Sequence, residues 1–367
     1  MAEIGIGIVG GGYMGKAHAV AMSAVGAVFD TGLRPRLELV CGSTPASSER
    51  HRAALGFARA APDWQALVTD PRVEAVIIAA PQAHHREIAL AALDLGKPVF
   101  CEKPLGESLQ DSAAMVAAAA RTGVANMVGF NYIRTPASRY ARQLVAEGVI
   151  GDVTWFRGEH TEDFLADPAL PGTWRTRSEA AGTLGDLAPH MINAARALIG
   201  PIAAVMSDVQ TVHATRGGEA VLNDDQAQMM VRFDNGVAGH LFFSRTYHGR
   251  KMGYAYEIVG TRGAIRFDQE DQNALHLYLA EGPEAQRGFR KILTGPAHPD
   301  YLPFSQGPGH GTGYNDQIII EARDFLQAIE TGQPVWPTFA EGHEVNRVIA
   351  AARASHAGQG WRNISDF

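Results

Sequence analysis

Apolar residues fall into short runs in the first third of the chain, and between the runs they recur every three or four positions. Ile4-Gly5-Ile6-Gly7-Ile8-Val9, Leu37-Glu38-Leu39-Val40-Cys41, Val73 to Ala80 and Val99-Phe100-Cys101 are bounded by turn residues and read as strands. Helical spacing follows the first run, with Ala17, Val20, Ala21 and Ala24 on one side. Another helix is predicted from about Arg86 to Leu95 and stopped by Gly96. Gly32 to Pro35 reads as a loop and Glu38 as a solvated strand residue. This alternation as far as Val128 predicts a parallel, doubly wound sheet.

The texture then changes. After a helix near Ser138 to Glu147 come short runs rich in β-branched or aromatic residues: Asp152–His160, Ala203–Thr211, Gln226–Phe233, Val237–Arg245, Tyr254–Val259, Ala264–Asp268 and Leu275–Leu279. Asp234-Asn235-Gly236 and Thr261-Arg262-Gly263 are hairpin signals, so a mostly antiparallel sheet is predicted. Two helices return near Asp316 to Glu330 and Glu341 to His356. Ile292 to Gly313, with four prolines and five glycines, reads as a long ordered loop or lid rather than an element. The fold class expected is α/β, with a doubly wound parallel-sheet domain over residues 1–128 and an α+β domain carrying a large, mostly antiparallel open sheet over 129–367.

Composition narrows the function classes. A chain of 367 residues exceeds one ordinary core, and 46% hydrophobic with 19% charged residues describes a soluble globular protein. A formal charge of −7 without basic runs argues against nucleic acid or an anionic membrane as partner. The N-terminus enters a strand directly and no apolar stretch is long enough to span a bilayer, so a cytoplasmic protein is expected. Cys41 and Cys101 are expected to be reduced and buried.

Gly10-Gly11-Gly12-Tyr13-Met14-Gly15 lies between the first strand and the first helix, the context a G-x-G-x-x-G match needs. Gly10 permits the turn, Gly12 lets a pyrophosphate approach and Gly15 lets the helix pack closely. Gly10 to Lys16 also fits G-x-x-x-x-G-K, but Ala17 stands where a P-loop needs a hydroxyl for magnesium. No acid ends the second strand to mark NAD and no arginine follows at once to mark NADP; Ser43 and Thr44 suit either. His84-His85 has no partner at metal-ligand spacing, so no metal is expected. Glu102-Lys103-Pro104 leaves a strand at the end where open sheets bind ligands, with proline holding Lys103 out of helical geometry. Asp186 and His190, four apart near a helix N-terminus, share one helical face; Pro189 fits only the first turn and puts Asp186 at or near the N-cap.

The order and spacing of Gly10–Gly15, Glu102-Lys103-Pro104 and Ala181–His190, with lesser echoes at Asn131–Pro136 and Trp174-Arg175, resemble the Gfo/Idh/MocA family of sugar and inositol dehydrogenases over essentially the whole chain. The resemblance implies an N-terminal Rossmann domain, a cis Lys103-Pro104 bond, and Lys103, Asp186 and His190 meeting beside the nicotinamide between the domains. It implies cofactor contacts from Gly10, Gly12, Tyr13, Met14, Gly15, Ser43, Thr44, Ala80, Pro81, Gln82, His85, Glu102, Lys103, Asn131, Trp174 and Arg175. Substrate contacts would come from Lys103, Asn131, Arg134, Asp163, Arg175, Asp186 and His190. The reaction implied is oxidation of a secondary hydroxyl of a cyclic polyol, sugar or anhydrosugar, with NAD as cofactor and NADP not excluded. His190 would be the base, Lys103 the cation beside the alkoxide, and Asp186 would hold the hydroxyl or orient the other two. A homo-oligomer, dimer or tetramer, through the C-terminal sheet is also implied. Pro81-Gln82 in place of Pro-Asn, the missing acid near Gly42, and Pro189 before His190 depart from the family pattern. Two alternatives share the fold: a non-catalytic dinucleotide and sugar sensor, and a dehydrogenase of a non-sugar compound.

Overall fold

The computed structural model describes residues 2–367, without the side chain of Glu179. Two compact units divide the chain: Met1–Asn131 with Gly313–Asn346, and Tyr132–Thr312 with Arg347–Phe367.

In the first unit, strands β1 (Ala2–Val9), β2 (Leu33–Cys41), β3 (Arg59–Ala60), β4 (Ala75–Ile78), β5 (Val99–Glu102) and β6 (Asn126–Gly129) form a parallel sheet in the order β3-β2-β1-β4-β5-β6. Helices α1 (Tyr13–Val28), α2 (Pro45–Leu55), α3 (Trp64–Thr69), α4 (His85–Asp94) and α5 (Leu109–Thr122) connect them. Helices cover both sheet faces in such a fold, which is why Ile6, Ile8, Val76, Ile77, Val99 and Phe100 are all buried without polar alternation. Strand order reverses between β1 and β4, so their carboxyl ends form the crevice that binds ligands in open α/β sheets.

Two expectations on β2 are corrected. The strand begins at Leu33 and includes Pro35, because β3 pairs only with Leu39 and Val40 and leaves Pro35 no neighbour on that side to bond. Glu38 is only 1% exposed: Arg59 donates to it from Nε at 2.8 Å and also to Asp70, while Arg36 and Arg72 pair with the same carboxylate.

In the second unit the helices are α6 (Pro136–Ala146), α7 (Trp174–Arg177), α8 (Thr183–Asp186) and α9 (Ala188–Leu198). The strands are β7 (Val153–Thr161), β8 (Ile202–Gln210), the small hairpin β9 (Thr215–Arg216) and β10 (Glu219–Ala220), β11 (Gln226–Phe233), β12 (Ala238–Ser244), β13 (Gly253–Gly260), β14 (Gly263–Asp268), β15 (Ala274–Leu279), β16 (Arg290–Leu293) and β17 (Arg362–Asn363). Nine of them make one sheet, β16-β15-β14-β13-β7-β12-β11-β8-β17, antiparallel except for the parallel pair β7 and β12. Both hairpin turns fall where the sequence placed them. β11 reads alternately exposed and buried, so Met229 and Val231 enter the core while Met230 and its cross-strand neighbour Met206 face away. Helix α9 packs on β7 and β12.

Helix α10 (Tyr314–Thr331) runs along α1, and α11 (Phe339–Gly358) follows. Residues 313–346 therefore join the first unit, whereas the sequence pattern grouped all of 129–367 together. Long-range bonds explain the difference: the Val128 amide donates to the Pro337 carbonyl at 3.0 Å, and the Phe339 amide to Asn126 Oδ1 at 2.8 Å.

Candidate active site

The turn from β1 to α1 assigns its glycines different tasks. Gly10 has φ +101°, where a side chain is strained, and a Cβ there would run into the Ala79 carbonyl. A Cβ on Gly15 would strike the Gly10 carbonyl, and one on Gly12 would meet nothing within 4 Å. Gly12 is the N-cap of α1, with no side-chain cap and no acid in the first turn, so the helix start is left to an external anion. Tyr13 is exposed with its ring 5.8 Å from Tyr314, and Met14 Sδ accepts from the Tyr314 hydroxyl. These features fit the pyrophosphate of a dinucleotide.

After β2, Ser43 is exposed, whereas the Thr44 hydroxyl is engaged in capping α2, accepting from the Ser47 amide at 3.1 Å. Burial pushes the Cys41 thiol up to about 11, and both cysteines are free and buried. At the end of β4, Ala80, Pro81 and Gln82 lead into a short 3-10 turn.

Beyond β5 the Lys103-Pro104 bond is cis, as expected, and Lys103 is half-buried. His85, expected at the cofactor, is 1% exposed; its Nδ1 lies 3.0 Å from the Pro104 carbonyl and its Nε2 3.0 Å from the Ala80 carbonyl. It ties together the segments that follow β4 and β5. Burial holds its pKa down, against the two carbonyls and Glu102. Glu102 also points inward, with Oε1 2.7 Å from His18 Nε2. Asn131 is buried and donates to Gln317 at 3.0 Å.

The second unit gathers the other candidates. Thr173 caps α7, whose Trp174 is exposed and lies under the Arg175 guanidinium at 4.4 Å. Arg175 Nε is 3.3 Å from Asp186 Oδ2. Asp186 closes α8 and stands next to Leu187, the N-cap of α9, so it lies near that cap as expected, and Pro189 sits in the first turn of α9. His190 is buried one turn beyond Asp186, its ring 4.5 Å from Tyr132 and 5.7 Å from His160. Arg134 is buried in the turn Tyr132–Arg134. Asp163 accepts from Lys251 Nζ at 2.6 Å, which lowers its pKa.

A buried clamp was missed in the sequence. Arg245, 1% exposed, pairs with Asp225 at 3.0 Å and donates to the carbonyl of Arg175 at 2.9 Å and to Asn223. Asn223 donates to the carbonyls of Arg175 and Ser178, and Asp224 accepts from the Leu184 amide at 2.7 Å. Burial raises the Asp224 carboxyl, with the Leu184 amide opposing. This network holds both ends of the segment between Arg175 and Asp186. The hairpin register contained the signal: Gln226 faces Ser244, so Asp225 faces Arg245 one step further.

The β3-β2-β1-β4-β5-β6 sheet with its glycine turn, joined to an α+β unit bearing a polar cluster, defines a dinucleotide-dependent oxidoreductase. Residues 4–130 match the oxidoreductase family with an NAD-binding Rossmann fold, and residues 138–266 match the GFO/IDH/MocA C-terminal domain. The chain belongs to the Gfo/Idh/MocA family, and its cofactor is NAD. It is 36% identical to levoglucosan dehydrogenase of Pseudarthrobacter phenanthrenivorans, over 99% of both chains. It is 30% identical to scyllo-inositol 2-dehydrogenase (NAD(+)) of Bacillus subtilis, over 82% of this chain and 80% of that one. A solved levoglucosan dehydrogenase in complex with NADH and levoglucosan superposes with a TM-score of 0.97 at 37% identity, covering 99% of each chain. Among the described residues no helix is long and apolar enough to cross a membrane.

Proposed function

We propose that this protein oxidises a secondary hydroxyl of an anhydrosugar of the levoglucosan kind, and that Lys103, Asp186 and His190 act on that hydroxyl. The observation that carries the reading is the Arg175–Asp186 pair, with His190 buried four residues on, in a chain so similar to levoglucosan dehydrogenase along its entire length. Bound NAD supplies the hydride acceptor. Gly10, Gly12 and Gly15 hold the pyrophosphate against the start of α1.

Loss of hydride from carbon requires the hydroxyl proton to leave, so a base within hydrogen-bond reach is needed. His190 takes that proton, since an imidazole titrates near neutrality. Lys103 supplies a fixed cation to the oxygen as it becomes an alkoxide. Asp186, itself braced by Arg175, accepts from the substrate and keeps the hydroxyl aligned. Asn131, Arg134, Asp163 and Arg175 are the further substrate ligands in this reading.

The protein works in the cytoplasm as a homo-oligomer, a dimer or tetramer. In support of that assembly, Trp155, Met206 and Met230 are exposed on the nine-stranded sheet. The test is to incubate the protein with levoglucosan, inositols and aldoses, each with NAD, and follow nicotinamide absorbance. Reduction with the anhydrosugar ahead of the others supports the reading; reduction with none of them contradicts it.

A further inference from the structure

His160 sits near the end of β7, 1% exposed, and the reaction described above gives it no task. Its Nδ1 lies 3.0 Å from the Leu187 carbonyl and its Nε2 lies 3.1 Å from Glu162 Oε1. A carbonyl only accepts, so Nδ1 carries a hydrogen. An ionised carboxylate also only accepts, yet a neutral imidazole has a single N–H. Both ring nitrogens therefore face oxygen acceptors. The Glu162 backbone is fixed on both sides: its amide donates to the Ser244 carbonyl at 2.8 Å and its carbonyl accepts from the Tyr247 amide at 2.9 Å.

The other end of this arrangement is the root of α9. Leu187 is the N-cap of that helix, no side chain caps it, and Pro189 in its first turn has no N–H to offer. The His160 contact reaches the carbonyl of this N-cap residue and so ties down the backbone at the helix start, with His190 only three residues on. The His160 ring also stands 5.7 Å from that of His190 at 60°, and Tyr132 lies 5.6 Å from His160 and 4.5 Å from His190.

We propose that His160 is a positioning residue for His190, donating from both ring nitrogens, to the Leu187 carbonyl and to Glu162, so that the start of α9 holds the His190 ring in place. The proposal rests on the reading of His190 as the proton acceptor. Turnover is sensitive to such placement, since a shift of about 1 Å in a reacting group costs on the order of 100-fold.

The test combines a spectrum with kinetics. Nitrogen-15 imidazole spectra of the full-length protein, with His160 assigned by its loss in His160→Phe, are expected to show both His160 nitrogens protonated. In Glu162→Gln the amide donates to Nε2, so only Nδ1 keeps its hydrogen while the Leu187 bond survives. His160→Phe keeps a ring but loses both donors, and its kcat is expected to fall ~10–100-fold with KM for NAD unchanged. Glu162→Gln is expected to lose only ~2–5-fold. A single protonated nitrogen on wild-type His160, a wild-type kcat in His160→Phe, or equal losses in the two variants overturns the proposal. Should His160→Phe fail to fold, His160→Gln supplies the assignment and the Glu162→Gln spectrum decides. His190→Asn separates the two levels: if it retains turnover, the base reading falls and this proposal with it; if it is inactive while His160→Phe is not impaired, only the positioning falls.

Discussion

Replacing Gly12 by alanine is expected to weaken NAD binding while leaving the fold nearly intact. Its backbone, at φ −70° and ψ −156°, is open to any residue, and the added methyl meets nothing within 4 Å. The folding cost is therefore that of a poorer N-cap, about 0.5–1 kcal/mol. The methyl does occupy the approach of the pyrophosphate to the first-turn amides of α1, and an expected loss of about 1.4–2.8 kcal/mol raises Kd by 10–100-fold. Gly10→Ala is the opposite control. With φ +101° and the Ala79 carbonyl in the way, it strains the fold by about 1–3 kcal/mol before any ligand arrives. Calorimetric NADH titration and urea unfolding of both variants separate the two effects. Wild-type NADH affinity in Gly12→Ala, or a stability loss in Gly12→Ala exceeding that in Gly10→Ala, would falsify the assignment of Gly12 to the phosphates.

Other outcomes follow from charge placement. Asp70, hydrogen-bonded by Arg59, has its carboxyl lowered to about 2 from 3.8. A depressed carboxylate stabilises the fold above the unfolded pKa and ceases to do so as pH falls through the folded one, so about 2 kcal/mol is lost between pH 4 and 2. Urea unfolding across that range is expected to be flatter in Asp70→Asn, and an unchanged slope contradicts it. Arg245→Met leaves Asp225, fully buried, without its cation and is expected to cost about 3–5 kcal/mol in urea unfolding. Thr44→Ala removes the cap of α2 and is expected to cost about 1 kcal/mol, with a wild-type midpoint as the contrary result.

Local chemistry was the legible part of this chain. The glycine turn declared itself because strand, turn and helix lie within a dozen residues, and Asn235-Gly236 marked a hairpin from its own φ requirement. Long-range partners were not legible. Glu38 reads as solvated until Arg59, twenty-one residues away, is folded against it, and neither carbonyl partner of His85, at Ala80 and Pro104, is marked in the sequence. The placement of residues 313–346 depends on packing against α1, which no periodicity reports. Asp225 and Arg245 lie between these cases, since the register of one hairpin was enough to pair them.

The central claim is hydride transfer from an anhydrosugar to NAD with Lys103 as the cation beside the reacting oxygen. Its most direct measurement is NADH formation from levoglucosan by the wild-type protein and by Lys103→Met, with NADH affinity determined on both. The wild type is expected to reduce NAD, and Lys103→Met to bind NADH normally while its kcat falls ~100–1000-fold. Full turnover by Lys103→Met, with dinucleotide binding intact, would contradict it.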